Sequence, residues 1–118
     1  MKYRILVFVF CVISLYLSDN ALASAPSQSE VVKLFTDANE KHLQSAKLIA
    51  ANNNQEASQK LDEAALQYET LLTHGFKNGQ VYYNLANTYY RQGKLGKAIV
   101  NYRRAQRLMP RNAEIDTN

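Results

Sequence analysis

The chain has 118 residues, with 14 Lys and Arg, 10 Asp and Glu, 4 Gly, 2 Pro and 1 Cys. This length allows one domain at most, and the single cysteine excludes an intramolecular disulfide framework and a multi-cysteine zinc site. With 47% apolar residues and a net charge of +4, disorder of the whole chain is not expected. Few Gly and Pro residues argue against a many-stranded fold, and the composition therefore predicts a small helical domain.

The first segment has the features of an export signal. Lys2 and Arg4 precede an apolar run over residues 5–17, and Ala21 and Ala23 supply a small-residue cleavage site. We expect cleavage after Ala23, which makes residues 1–23 a signal peptide. The alternative is an uncleaved anchor, although the apolar run is shorter than the roughly 20 residues of a spanning helix.

The next elements are a leader and a first helix. Residues 24–29 are small and polar, which indicates a flexible leader with Ser29 as a candidate N-cap. From Val31 to Ile49 the apolar residues step by three or four, as in an α-helix. The asparagine run 52–54 predicts a loop.

Three further helices follow. An apolar stripe from Leu61 to Leu72 predicts a helix that stops near Gly75. A third helix is expected between Gly79 and Gly93, and a fourth over residues 95–108, stopped by the proline at 110. The sequence therefore predicts an all-α fold of two antiparallel helix pairs.

The second and fourth helices repeat one another. Leu61 and Leu95, Ala64 and Ala98, and the tyrosines at 68 and 102 are each 34 residues apart, a period typical of tetratricopeptide repeats. Residues 79–112 resemble that family at nearly every signature position: Tyr82, Leu85, Ala86, Tyr89, Ala98, Tyr102, Ala105 and Pro110.

The resemblance implies antiparallel hairpins of a tetratricopeptide solenoid over residues 30–112, in about two units. Small residues should lie where helices approach, and large ones should fill the space between them. The upstream unit has 13 more residues between its helices, which predicts a first hairpin elongated by about two turns in each helix. Residues 113–118 look like the start of a truncated next helix or a tail.

Residues 71–112 resemble, more narrowly, the tetratricopeptide proteins of bacterial Bat (aerotolerance) operons, the BatE type. That resemblance implies an exported scaffold on the periplasmic side of the inner membrane, within a stress-tolerance complex. A further alternative is a truncated relic of a longer repeat protein.

The family resemblance also implies a concave groove that binds a protein or peptide partner. On the clear repeat, the groove positions carry Tyr83, Asn84, Asn87, Tyr90 and Arg91. Asn side chains can bond the backbone of an extended peptide, and Arg can take a carboxylate. The alternative is an ordinary solvated helix face.

Charge is unevenly distributed along the chain. Residues 24–76 have four lysines and seven acids, whereas residues 77–113 have eight cations and no acid. Arg104, Arg107 and Arg111 are spaced to share a helix face. These arginines lie near the C-terminal end of the fourth helix, where positive charge interacts favourably with the helix dipole. The alternative is a function for this basic face, namely binding to an anionic lipid surface or an acidic ligand.

Motifs of catalysis and of metal binding are not found in the sequence. It contains no GxSxG, HExxH or P-loop pattern, and neither His42 nor His74 has a second ligand at metal spacing. We therefore predict a protein that is not an enzyme, without cofactor, metal or small-molecule substrate. The basic charge alone would allow nucleic acid binding, but the export signal argues against a nucleic acid partner.

Overall fold

The computed structural model of the chain describes residues 25–109. In chain order it contains α1 (Gln28–Ala50), α2 (Asn54–Thr73), α3 (Gly79–Arg91) and α4 (Leu95–Leu108), and no strand within that range. α1 packs against α2 and α3 against α4, and the two hairpins join through α2 and α3. The all-α hairpin fold is confirmed, while the predicted signal peptide (1–23) and tail (113–118) lie outside the described residues.

The start of α1 differs from the prediction. Ser27, not Ser29, is the N-cap, and the helix begins at Gln28. The Ser27 hydroxyl accepts a hydrogen bond from the Glu30 backbone N–H, and the Glu30 carboxylate accepts one from the Ser27 backbone N–H. This reciprocal capping box needs Glu or Gln three residues after the cap. Ser29 has Val32 there, which explains why the earlier serine is used.

The turns follow the predicted positions. Asn53 caps α2 through its side chain, and Asn52 takes a φ of 58°, a left-handed conformation that Asn tolerates. Gly75 (φ 88°) follows the end of α2, and Gly93 (φ 73°) follows the end of α3. The elongated first hairpin is also confirmed, since α1 and α2 have 23 and 20 residues whereas α3 and α4 have 13 and 14.

One apolar cluster draws residues from all four helices, and its largest fully buried members are Tyr68, Leu71 and Leu85. Most signature positions are buried as predicted: Tyr82, Leu85, Ala86, Tyr89, Ala98 and Ala105. Tyr102 is only partly buried, and Pro110 lies outside the described residues. Because Ala86, Ala98 and Ala105 have almost no exposed area, the helices can approach one another closely at these points.

The repeat is unequal in burial. Leu61 of α2 is 4% exposed, whereas Leu95, at the same place 34 residues later in α4, is 56% exposed. Among residues 25–109, α2 packs against both α1 and α3, whereas α4 packs closely against α3 alone. Within those residues, no helix is both long and apolar enough to cross a membrane.

Candidate functional site

The helices α1 and α3 run side by side in the same direction. Val31 and Phe35 of α1 line one pocket with Gly79 of α3. Further along, Asn39 contacts Asn84, and then His42 contacts Thr88. Contacts in the same order along both helices mean that they are parallel. The two helices therefore lie side by side from the pocket at the start of α3 to the His42 contact near its end, and we refer to the surface along this junction as the groove.

A network of amides and a tyrosine holds this pair of helices together. The Asn39 Oδ1 accepts from the Tyr68 hydroxyl at 2.5 Å and from the Asn84 Nδ2 at 2.7 Å. Gln80 Nε2 in turn donates to the Asn84 Oδ1 at 2.9 Å. Asn84, predicted as a peptide contact, is therefore oriented by a hydrogen bond to the neighbouring helix α1. The burial of Tyr68 raises the pKa of its hydroxyl.

Sequence reasoning did not identify Asn39 as part of the site. A signal was present: when Phe35 and His42 of the first helix are aligned with Tyr82 and Tyr89 of the clear repeat, Asn39 falls at the position of the small residue Ala86. Asn39 is partly buried, and a polar side chain at such a position requires a partner, which Tyr68 and Asn84 supply.

His42 lies further along the groove. Its Nδ1 is 3.0 Å from the Thr88 Oγ1. The Thr88 hydroxyl donates its hydrogen to the backbone carbonyl of Asn84 at 2.8 Å. The imidazole N–H must therefore be the donor in the bond between His42 and Thr88. Burial, and secondarily the charge of Arg91, lowers the pKa of His42 to about 4. Arg91 itself is exposed, and no carboxylate of residues 25–109 lies within 4 Å of it.

The remaining predicted groove residues lie nearer to α4. The Tyr83 and Tyr102 rings are 5.8 Å apart, and the Tyr102 hydroxyl donates to the Asn87 Oδ1 at 2.6 Å. Tyr90 is exposed. Burial, followed by the proximity of Tyr83 and Tyr90, raises the pKa of Tyr102. The five predicted residues therefore share one broad face of α3, with Asn84 and Arg91 towards α1 and the others towards α4.

An apolar pocket opens where α1 and α3 begin. Its volume is about 420 Å³, and its walls include Val31, Val32, Phe35, Gly79 and Met109. A Cβ atom at Gly79 would collide with the Met109 side chain, so this wall depends on glycine. No sequence prediction named this pocket, because Met109 reaches it only through the folding of α4 back along α3.

The basic face lies on α4, which is not part of the groove between α1 and α3. The Arg104 guanidinium lies 5.7 Å from the centre of the Tyr82 ring, and the Lys97 Nζ lies 5.2 Å from that of Tyr89. Arg107 is exposed, and Arg111 lies outside the described residues. No ion pair within the described range includes Arg104 or Arg107.

Among the described residues, no group of three or more His, Cys, Asp and Glu side chains could hold a metal ion. The polar groups of the groove are mainly amides, hydroxyls and one guanidinium. Such groups can bond a peptide backbone and a carboxylate.

The comparison with protein families agrees with this geometry. Residues 79–112 match the family model of the tetratricopeptide repeat, and these residues include the whole of α3 and α4. No curated protein and no solved structure matches the chain. The described part of the chain therefore has an all-α helical-hairpin fold, consistent with the tetratricopeptide repeat that residues 79–112 match.

Proposed function

We propose that this protein is a non-catalytic scaffold that binds a protein partner in the groove between α1 and α3. The observation that carries the proposal is the exposed apolar surface of α1 beside the repeat. Val32 and Leu43 are 58% and 56% exposed, and the helical period places them on one face. Tetratricopeptide repeats are generally protein-binding modules, and exposed apolar residues grouped on one face are typical of a protein contact.

The proposal can be tested by photocrosslinking in the cells that make the protein. A benzophenone amino acid at Leu43 should give a discrete crosslinked product. The matched control is Leu66 of α2, which is 65% exposed and lies outside the groove. If both positions give the same products, or if neither gives any, the groove is not the binding surface.

We extend the proposal to an exported protein on the periplasmic side of the inner membrane, in a Bat-type stress-tolerance complex. The basic start, apolar run and small-residue site of residues 1–23 support export, and the resemblance of residues 71–112 to BatE-type proteins supports the complex. Residues 1–30 fused to an alkaline phosphatase without its own signal should give phosphatase activity. An inactive fusion that is stably made would contradict export.

A second candidate function is binding to an anionic surface through the basic face of α4. The supporting observation is that Arg104 and Arg107 have no carboxylate partner in the described range, and that residues 77–109 contain no acid. Cosedimentation of the protein with phosphatidylglycerol vesicles should decrease as the salt concentration rises. It should also decrease in the double variant Arg104→Gln, Arg107→Gln. Arg91→Gln, on the groove, is the control, and equal losses in both variants would argue against this face.

A further inference from the structure

We infer that the groove takes an extended peptide segment with two recognition elements, a bulky apolar side chain and an acidic side chain about five residues away. This inference rests on the proposed function and specifies the partner chemistry of the same groove. Its two carriers are the apolar pocket at the start of α3 and the arginine at its end.

The pocket provides the apolar element. It is lined by Val31, Val32 and Phe35 of α1, by residues 78–80 at the start of α3, and by Met109. The Val32 side chain is exposed, so a ligand there would cover apolar surface that now faces water. Burial of one Leu, Met or Phe side chain there would contribute favourably to the binding free energy. A volume of about 420 Å³ holds such a side chain with its backbone.

Arg91 provides the acidic element. It is exposed and belongs to no ion pair in the described part of the chain. Its positive charge helps to lower the pKa of His42, so the neighbouring imidazole stays neutral and does not compete for an anion. A guanidinium can bind a carboxylate through two parallel hydrogen bonds, which favours Asp or Glu in the partner.

The length of α3 sets the spacing of the two elements. Gly79 and Arg91 are the first and last residues of α3, which corresponds to about 18 Å at 1.5 Å per residue. An extended peptide covers this distance in about five residues at roughly 3.3 Å each.

The test is selection from a phage-displayed library of random dodecapeptides on the full-length protein. Enriched peptides should pair Leu, Met or Phe with Asp or Glu four to six positions away. Arg91→Gln should remove the acidic preference and keep the apolar one, and should weaken an enriched peptide about fivefold in fluorescence anisotropy.

Two variants test the pocket. Gly79→Ala displaces Met109 and should change the apolar preference, whereas Gly96→Ala, where an added Cβ meets nothing within 4 Å, should select the same peptides as the wild type. Val32→Ser changes an exposed side chain and should lose the apolar preference even if Gly79→Ala does not fold. Circular dichroism reports folding in each case.

The outcomes separate this inference from the proposed function. Groove-dependent peptides without the predicted spacing would overturn the inference and leave the groove function in place. A library that enriches no peptide, together with absent crosslinking at Leu43, would overturn both. A wild-type dimer that Val32→Ser converts to a monomer would assign the pocket to a second copy of the chain, and would also overturn the inference.

Discussion

At the scale of single residues, Asn39 connects three helices. Its one side-chain oxygen accepts bonds from Tyr68 of α2 and Asn84 of α3. Tyr68 is buried and Asn84 is partly buried, and loss of the acceptor would leave both donor groups without a partner, at a cost of about 1–3 kcal/mol each in comparable cases. The network therefore fixes how α3 is placed along α1, and thereby the floor of the groove.

His42 makes stability depend on pH. Its folded-state pKa of about 4 is below the ordinary value of 6.5, so the unfolded chain binds more protons between these values. The free energy of unfolding should therefore fall as pH is lowered from about 6.5 to about 4. We expect a loss on the order of 1 kcal/mol, because partial exposure screens the penalty.

Urea denaturation at several pH values measures this dependence. His42→Gln should make the free energy of unfolding depend less on pH between pH 6.5 and 5, a range in which the titration of carboxylates contributes less to that dependence. The control is His74→Gln, at an exposed position, which should keep the wild-type slope. A slope that persists in His42→Gln would show that other groups cause it.

At the scale of elements, the capping box defines the start of α1. Ser27→Ala removes the hydroxyl that accepts from the Glu30 backbone N–H and should lower the free energy of unfolding by about 1 kcal/mol. Ser29→Ala lies inside the helix and should have a smaller effect or a slightly stabilising one. Thermal denaturation of both variants measures the difference, and the reverse order would contradict the assigned cap.

Sequence patterns predicted the helices well because each has a strong apolar period and an evident stop, as with Gly75 and Gly93. The signature positions of the repeat also predicted most of the buried residues of α3 and α4, whereas the 34-residue period did not predict the exposure of Leu95, which matches the buried Leu61. The neighbours of each polar side chain could not be predicted, because a period defines a face but not what lies against it. Asn84 was predicted as a peptide contact, but its bond to Asn39 depends on how α1 is placed against α3.

At the scale of the whole molecule, the shared apolar cluster makes the two hairpins one unit. Leu85 of α3 is 2% exposed and packs in a cluster that includes residues of every helix. Leu85→Ala should lower the free energy of unfolding by about 2–5 kcal/mol. Unfolding should remain a single transition by circular dichroism and tyrosine fluorescence.

The control for this change is Leu66→Ala, at a residue that is 65% exposed. Its effect should be within about 0.5 kcal/mol. If Leu85→Ala instead produced two separated transitions, the hairpins would unfold independently. That result would contradict the conclusion that the shared apolar cluster makes them one unit.

Opposite charges lie on the two hairpins and meet where they join. Asp62 of α2 is 3.9 Å from the Lys94 Nζ and accepts a hydrogen bond from Gln92 at 2.7 Å. Glu69 of α2 accepts a hydrogen bond from the Tyr89 hydroxyl; burial, followed by this carboxylate, raises the pKa of Tyr89. These contacts are mostly exposed, so each contributes little to stability. They orient the basic repeat against the acidic hairpin.

The extra length of the first hairpin has a practical consequence. Thr88, one turn before the end of α3, already lies beside His42, so the end of α1 and the start of α2 extend past the second hairpin. Between residues 46 and 60, only Ala57 is buried. An exposed turn of this kind tolerates insertion. The asparagine turn at 52–53 is therefore a suitable place to attach a fluorophore or an affinity tag while leaving the groove and the shared core unchanged.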